Sequence, residues 1–276
     1  MNVKKIVKQY RWKFYFTLFL ILSQSALALF FPLFIGYAID GALIEDYSGA
    51  MYLGLLGLGA LIVGSTRRFY DSRFYAQVFK TYGLDAVSTV EEDKVSVRTA
   101  RLNMMRETIE FMEHSLPELI ENVIGLVGVI AIIATLNLKI FFGSVVVTFL
   151  VFSVYLITGK KTIRYNKEYN NELERQVDAV SIPDVNPLKN HVMKLMKWNI
   201  RLSDLETVNF SISWIFLMLF LVGSIILAIS DGITQYGALF ALVMYVFQYM
   251  GSIVNLPFFY QEWLRLTEIK KRLEAS

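Results

Sequence analysis

The sequence predicts an all-α integral membrane protein with six transmembrane helices. Three observations support this class. Six long stretches are apolar, with 55% of all residues hydrophobic and 18% charged. Soluble domains carry about 25% charged residues, so the composition is too apolar for one of 276 residues. Lysine and arginine are also distributed very unevenly between the connections.

Each apolar stretch is long enough to cross a bilayer, whose apolar core takes about 20 residues of α-helix. A chain in lipid must satisfy its backbone polar groups internally, which such segments do as helices. The first stretch continues to Ile39, too far for a signal peptide, so we expect an uncleaved first helix. The predicted spans are residues 14–39, 47–66, 119–138, 140–159, 207–230 and 236–261.

The basic residues predict the orientation. Of the 27 lysines and arginines, 26 lie in the amino terminus, in residues 67–118 and 160–206, and in the carboxyl terminus. Lys139 alone lies in the opposite set of connections. Cytoplasmic segments carry such an excess, so we expect a multi-pass protein of the cytoplasmic (inner) membrane with both termini cytoplasmic. The lipid bilayer is its first partner.

The two cytoplasmic connections are long. Residues 67–115 and 160–206 have few glycines and carry apolar residues at helical spacing. Structureless loops of this length are uncommon, so we expect helical extensions of the spans that form two cytoplasmic hairpins.

Three short segments accompany this layout. Pro32 to Asp40 reads PLFIGYAID, Asp231 to Leu239 reads DGITQYGAL, and Arg265 to Leu273 reads RLTEIKKRL. With the hairpins, they resemble the end of the first helix, the turn into the sixth and the final helix of the transmembrane domain of ABC exporters (type 1, or type IV). The resemblance implies one transmembrane domain over residues 1–276. It also implies a dimer that exchanges helices, most simply a homodimer.

The chain carries no motif of its own for catalysis. The phosphate-binding pattern GxxxxGK[ST] is absent, and the nearest string, Gly159 to Thr162, lacks the first glycine. We therefore expect no nucleotide-binding domain, no enzymatic activity and no cofactor. The absence of cysteine excludes disulfides and thiolate metal sites. The net charge of +3 reflects bases flanking the membrane and gives no reason to expect nucleic acid.

The hairpin tips are candidate docking sites. ABC exporters carry short coupling helices there, which dock on an ATPase domain. Here the first tip is charged, and the second contains two prolines that should break the helix. Docking to a separate ATPase subunit and the absence of an ATPase both stay open. The candidate docking residues are Glu91, Glu92, Asp93, Pro183, Asp184 and Pro187.

Ionisable residues cluster near the inner end of the third span. Glu121 lies just inside the membrane edge and is the best candidate for substrate or proton handling, with a headgroup-level carboxylate as the alternative. Ser115 and Glu118 fit a capping box that starts the helix, and Glu118 is also a pathway candidate. His114, beside Glu113, is a titratable or weak metal-binding candidate, or a solvated residue.

Further pathway candidates lie on the second and sixth helices. Arg67, Arg68 and Asp71 occur where the second helix leaves the membrane, and Arg67 and Asp71 have i, i+4 spacing. They are interpreted either as inner-leaflet anchors or as a basic ring that attracts an anionic or amphiphilic solute. Gln248 and Asn255 are polar residues of the aromatic sixth helix that would line a central cavity.

These features predict a transport protein that moves a small or amphiphilic solute by alternating access without its own ATPase. One alternative is the transmembrane subunit of a split ABC transporter with a separately encoded ATPase. Another is a non-transporting adaptor or receptor that recruits a soluble partner. No clustered histidines, paired intramembrane carboxylates or serine nucleophile indicate a membrane enzyme.

Overall fold

The fold is a set of long helices, seen in a computed structural model that describes residues 8–88, 95–181 and 185–275. Within these ranges there is no strand, and six helices are long and apolar enough to cross a membrane. The prediction of an all-α, multi-pass membrane protein is confirmed. The elements are α1 (Arg11–Ala42), α2 (Ser48–Ser88), α3 (Val95–Glu110), a π-helix (Phe111–Ser115), α4 (Leu116–Leu136), α5 (Leu138–Glu174), α6 (Gln176–Ser181), α7 (Val185–Ser230) and α8 (Tyr236–Ala275).

The long connections are helical, as predicted, wherever the structure describes them. α2 continues to Ser88, far beyond the predicted membrane boundary, and α5 continues to Glu174. Pro187 lies in the first turn of α7, where a missing N–H removes no intrahelical bond. The other tip candidates lie outside the described residues: Glu91, Glu92, Asp93, Pro183 and Asp184.

The chain divides into two compact units, Met1–Leu138 with Leu227–Ser276, and Lys139–Ile226. The first unit contains four of the predicted spans, and in it α1 packs against α2, α4 and α8. The backbones of α1 and α8 are in close contact at Gly36 and Gly237, because a Cβ on either would collide with the carbonyl of the other. The Gly237 N–H donates to Asp40 Oδ1 at 2.7 Å. A carboxylate thus lies at the positive end of α8, where it is stabilising.

The first unit also has an aromatic core outside the predicted spans. Tyr10 and Phe14 of the first helical segment pack on it from one side. This core packs the carboxyl-terminal half of α2 against α3 and the π-helix. It therefore positions the π-helix residues described below. Its buried members are Phe74, Tyr75, Val78, Tyr82, Met105, Ile109, Phe111 and Met112.

The second unit pairs α5 with α7 through polar contacts. The Asn209 side chain donates to Thr158 Oγ1 at 2.9 Å, and His191 Nδ1 lies 3.0 Å from Glu172 Oε1. His191 and Glu172 are both buried. Nineteen residues separate them in sequence, which hides their pairing from a reading of local spacing.

Candidate functional site: a charged cavity in the first unit

A cavity of about 540 Å³ lies among α1, α2, the π-helix and α4. Its polar lining includes Gln24 of α1, which is one of few polar residues in the first apolar stretch. Six of the eight pathway residues proposed from the sequence line this one cavity: Arg67, Arg68, Asp71, His114, Glu118 and Glu121. The other two, Gln248 and Asn255 of α8, are not among its lining residues.

Arg67 is the centre of an ionic network that joins three helices. Its Nη1 donates to Gln24 Oε1 at 3.0 Å and makes an ion pair with Glu121. Its Nε lies 3.4 Å from Asp71 Oδ2, so the i, i+4 pair predicted on α2 is confirmed. The Arg67 side chain is 14% exposed, that of Asp71 7% and that of Glu121 29%. The Asp71 side chain is therefore the most buried of the three charges, and that of Glu121 is the most exposed.

Asp71 receives a second partner from α1. Thr17 Oγ1 donates to Asp71 Oδ1 at 2.7 Å, and both residues are buried. A buried carboxylate is costly unless hydrogen bonds and opposite charge replace its lost hydration. Thr17 and Gln24 thus belong to the ionic network, although neither is among the residues predicted from the sequence. Gln24 was detectable as a side-chain amide within a span, the kind of residue that often faces a cavity or partner.

The π-helix supplies a further wall of the cavity, through Glu113 and His114. Its wide turn is closed by the Leu116 N–H, which bonds to the Phe111 carbonyl five residues earlier. Pro117 follows directly and has no N–H to continue an α-helical ladder at that point. Phe111 and Met112 are buried in the aromatic core, which holds the turn in place.

This wide turn brings acidic side chains onto one face. His114, Glu118 and Glu121 are spaced four and three residues apart, the spacing of neighbours on a helix surface. Glu113 is five residues before Glu118, so an α-helix would turn it well away from that face. The i to i+5 bonding of the π-turn rotates the chain less per residue than an α-helix does, and Glu113 lines the same cavity.

The predicted capping box at Ser115 is wrong. Ser115 has helical backbone angles, with φ −67° and ψ −39°, and makes no side-chain capping bond. The helix does not start there, because the π-helix runs directly into α4. Glu118 is instead an exposed side chain of the cavity wall.

The cavity contains more negative than positive groups. Four carboxylates line it, from Asp71, Glu113, Glu118 and Glu121, against the two guanidinium groups of Arg67 and Arg68. Among the described residues, no three His, Asp or Glu side chains are grouped as metal ligands. The arrangement is suited to hold a charged or zwitterionic solute, or protons, rather than a coordinated metal ion.

Comparison with known families decides the class of this chain. The sequence model of a family described as ABC transporter transmembrane region matches residues 3–237. The chain belongs to this family. The resemblance seen in the sequence is thereby confirmed, and the ABC transporter transmembrane region gives the protein a role in membrane transport. The matched residues include every residue of the cavity. No curated protein matches the chain.

Proposed function

We propose that two copies of this ABC transporter transmembrane region form a homodimer that moves a small or amphiphilic solute by alternating access. The charged cavity is the solute site of each copy. The ionic network carries this proposal. Ionisable groups within membrane-spanning helices are costly, and they are usually found where a pathway or proton relay needs them. Here Glu121, inside the predicted third span, meets Arg67 and Asp71 at the inner end of the second, beside a cavity of about 540 Å³ within the size range of small-molecule sites.

Two features support the dimer. The fourth and fifth spans form a compact unit separate from the other four, as expected if they exchange between copies. Gly54 and Gly57 of α2, three residues apart on one face of the helix, have open space where a Cβ would point. Such glycines allow helices to approach closely in lipid, so this face of α2 is available to a second copy. A two-fold axis along the membrane normal is the simplest arrangement.

The orientation follows from the distribution of basic residues. With both termini cytoplasmic, the extensions of α2, α3, α5 and α7 form hairpins 67–115 and 160–206 on the inner side of the cytoplasmic membrane. Residues 1–276 then act as one transmembrane domain, and the cavity opens near its inner mouth. A solute enters from the cytoplasm or the inner leaflet when the dimer faces inward.

Two energy sources fit the site. In the first, the protein works without an ATPase, and Glu121 couples solute movement to protons by leaving and rejoining Arg67. In the second, it is the membrane subunit of a split ABC transporter, and a separate ATPase docks at the hairpin tips. Membership of the ABC transporter transmembrane family is compatible with both sources.

Native mass spectrometry of the complex, extracted in nanodiscs from its own cell, separates the two energy sources. A stoichiometric ATPase supports the split transporter, and deletion of residues 89–94 or 182–184 should then uncouple transport without unfolding the protein. A bare dimer supports the autonomous form.

Transport itself is tested with inside-out vesicles and a panel of fluorescent amphiphiles. Ser65→Trp places a bulky side chain in the cavity lining and should abolish uptake. Glu110→Gln is the control, because Glu110 forms an exposed pair with Arg106 and does not line the cavity. If the Ser65→Trp protein transports normally, the cavity is not the pathway. A cellular phenotype that survives the plug would favour an adaptor or receptor.

The proton role has a test of its own. Glu121→Gln keeps the size of the side chain but removes its charge, so it should reduce uptake and flatten the dependence of uptake on pH. Full activity with unchanged pH dependence would remove Glu121 from the coupling mechanism.

A further inference from the structure

We propose, on the basis of the proposed function, that the solute of the charged cavity is an organic cation. Its charged group would lie between Glu113 of the π-helix and Glu118 of α4, while its apolar body contacts α2. Four linked observations support this choice: the charge of the buried network, the charge of the outer wall, the size of the cavity and the nature of its floor.

The buried network has a net negative charge. Arg67 is one cation, yet it contacts both Asp71 and Glu121. One guanidinium balances one of these carboxylates, and the neutral side chains of Thr17 and Gln24 add no positive charge. The Asp71 side chain is buried, so water screens little of this excess. The network therefore attracts a further positive charge into the cavity.

The outer wall adds to the excess. The π-turn places Glu113 and Glu118 on one face, and Arg68 is the guanidinium that lines the same cavity outside the network. With His114 neutral, the six charged side chains sum to two negative charges. A cleft of one sign with low-dielectric walls concentrates ions of the opposite sign. The arginines in the sequence raised the option of an anionic solute. Such a solute would be repelled by both the buried network and the outer wall.

The cavity is suited to an organic cation rather than a bare metal ion. Its volume of about 540 Å³ accommodates a small molecule. Ala60, Leu61 and Gly64 of α2 provide an apolar and open floor. The part of the chain that the structure describes has no trio of acidic or histidine ligands that would dehydrate a metal ion.

The test compares tetraphenylphosphonium with tetraphenylborate, two ions of similar size and opposite charge. Saturable binding to the purified protein in nanodiscs is measured by equilibrium dialysis, and binding to empty nanodiscs is subtracted. We expect saturable binding of the phosphonium and none of the borate. The Glu113→Gln, Glu118→Gln double variant should bind the phosphonium about tenfold more weakly, because it loses two charged contacts.

Matched variants keep the result interpretable. Glu110→Gln removes the same charge from α3 outside the cavity, and its affinity should stay within about twofold of the parent. Glu118→Gln alone replaces an exposed side chain, so it preserves the fold if the double variant does not, and it should still weaken phosphonium binding. Size-exclusion chromatography checks the fold of each variant.

The outcomes distinguish this inference from the proposed function. If the folded double variant binds the phosphonium as tightly as the parent, the inference that the solute is an organic cation is overturned. Saturable borate binding that Ser65→Trp abolishes also overturns it, while leaving the cavity as a solute site. If the Ser65→Trp protein transports normally, the cavity is not the transport pathway, and the inference of a cationic solute in it is overturned as well.

Discussion

Replacing Arg67 with glutamine tests whether the ionic network holds α1, α2 and α4 together. The change removes the cation that pairs with Asp71 and Glu121, and keeps a polar side chain that can still bond to Gln24. Arg68→Gln is the matched control. It removes the same charge one residue further along α2, from an exposed position.

The magnitude follows from burial. Breaking a buried ion pair by removing one partner costs about 3–5 kcal/mol, because the remaining charge is left without compensation. Two features reduce this cost here. Glu121 is 29% exposed and can rehydrate, and Asp71 keeps its 2.7 Å bond from Thr17. We therefore expect Arg67→Gln to lower the free energy of unfolding by about 2 kcal/mol, roughly a thirtyfold shift in the equilibrium. Arg68→Gln should change it by less than about 0.5 kcal/mol.

Unfolding in mixed micelles, titrated with sodium dodecyl sulfate and followed by tryptophan fluorescence, measures this difference. A double variant adds a second reading. Glu121→Gln in the Arg67→Gln background removes one of the unpaired carboxylates, so it should restore about 1 kcal/mol. Equal losses from Arg67→Gln and Arg68→Gln would refute the network as a stabilising element. A double variant less stable than Arg67→Gln would show that the Glu121 carboxylate is not destabilising when it has lost its cationic partner.

Three further outcomes follow from the first unit. Gly237→Ala should prevent α8 from packing on α1, at a cost of about 1–3 kcal/mol in the same titration, whereas Gly251→Ala, on the same helix with open space around it, should cause no loss of stability. Tyr245→Phe should cost about 0.6 kcal/mol, because the buried hydroxyl donates to the Leu29 carbonyl at 2.8 Å; a change below 0.2 kcal/mol would show that the bond contributes nothing. The N–H and hydroxyl of Ser48 hold the pKa of Asp46 below its usual value. Because the pKa of Asp46 is depressed, its ionised carboxylate stabilises the turn at pH values above the ordinary carboxyl pKa. This stabilisation is lost as pH falls through the pKa of the folded protein. The protection factor for hydrogen exchange at the start of α2 should therefore fall below about pH 4 in the parent but not in Asp46→Asn.

The candidate site shows how far local patterns extend. The i, i+4 spacing of Arg67 and Asp71 was enough to predict that this pair lies on one helical face. The capping box failed because its pattern describes a helix start, and a π-helix already leads into α4 at that point. Thr17 and Gln24 were missed because their importance comes from residues more than forty positions away.

Composition and periodicity by themselves determined the class of the protein, its six spans and the helical nature of its long connections. These depend on the transfer of local segments into lipid, which the residues of each segment decide alone. The tertiary structure decided which charges meet. Contacts between different helices create the ionic network, the crossing of Gly36 and Gly237 and the burial of His191 against Glu172. The net charge of the cavity likewise depends on all of the helices that line it.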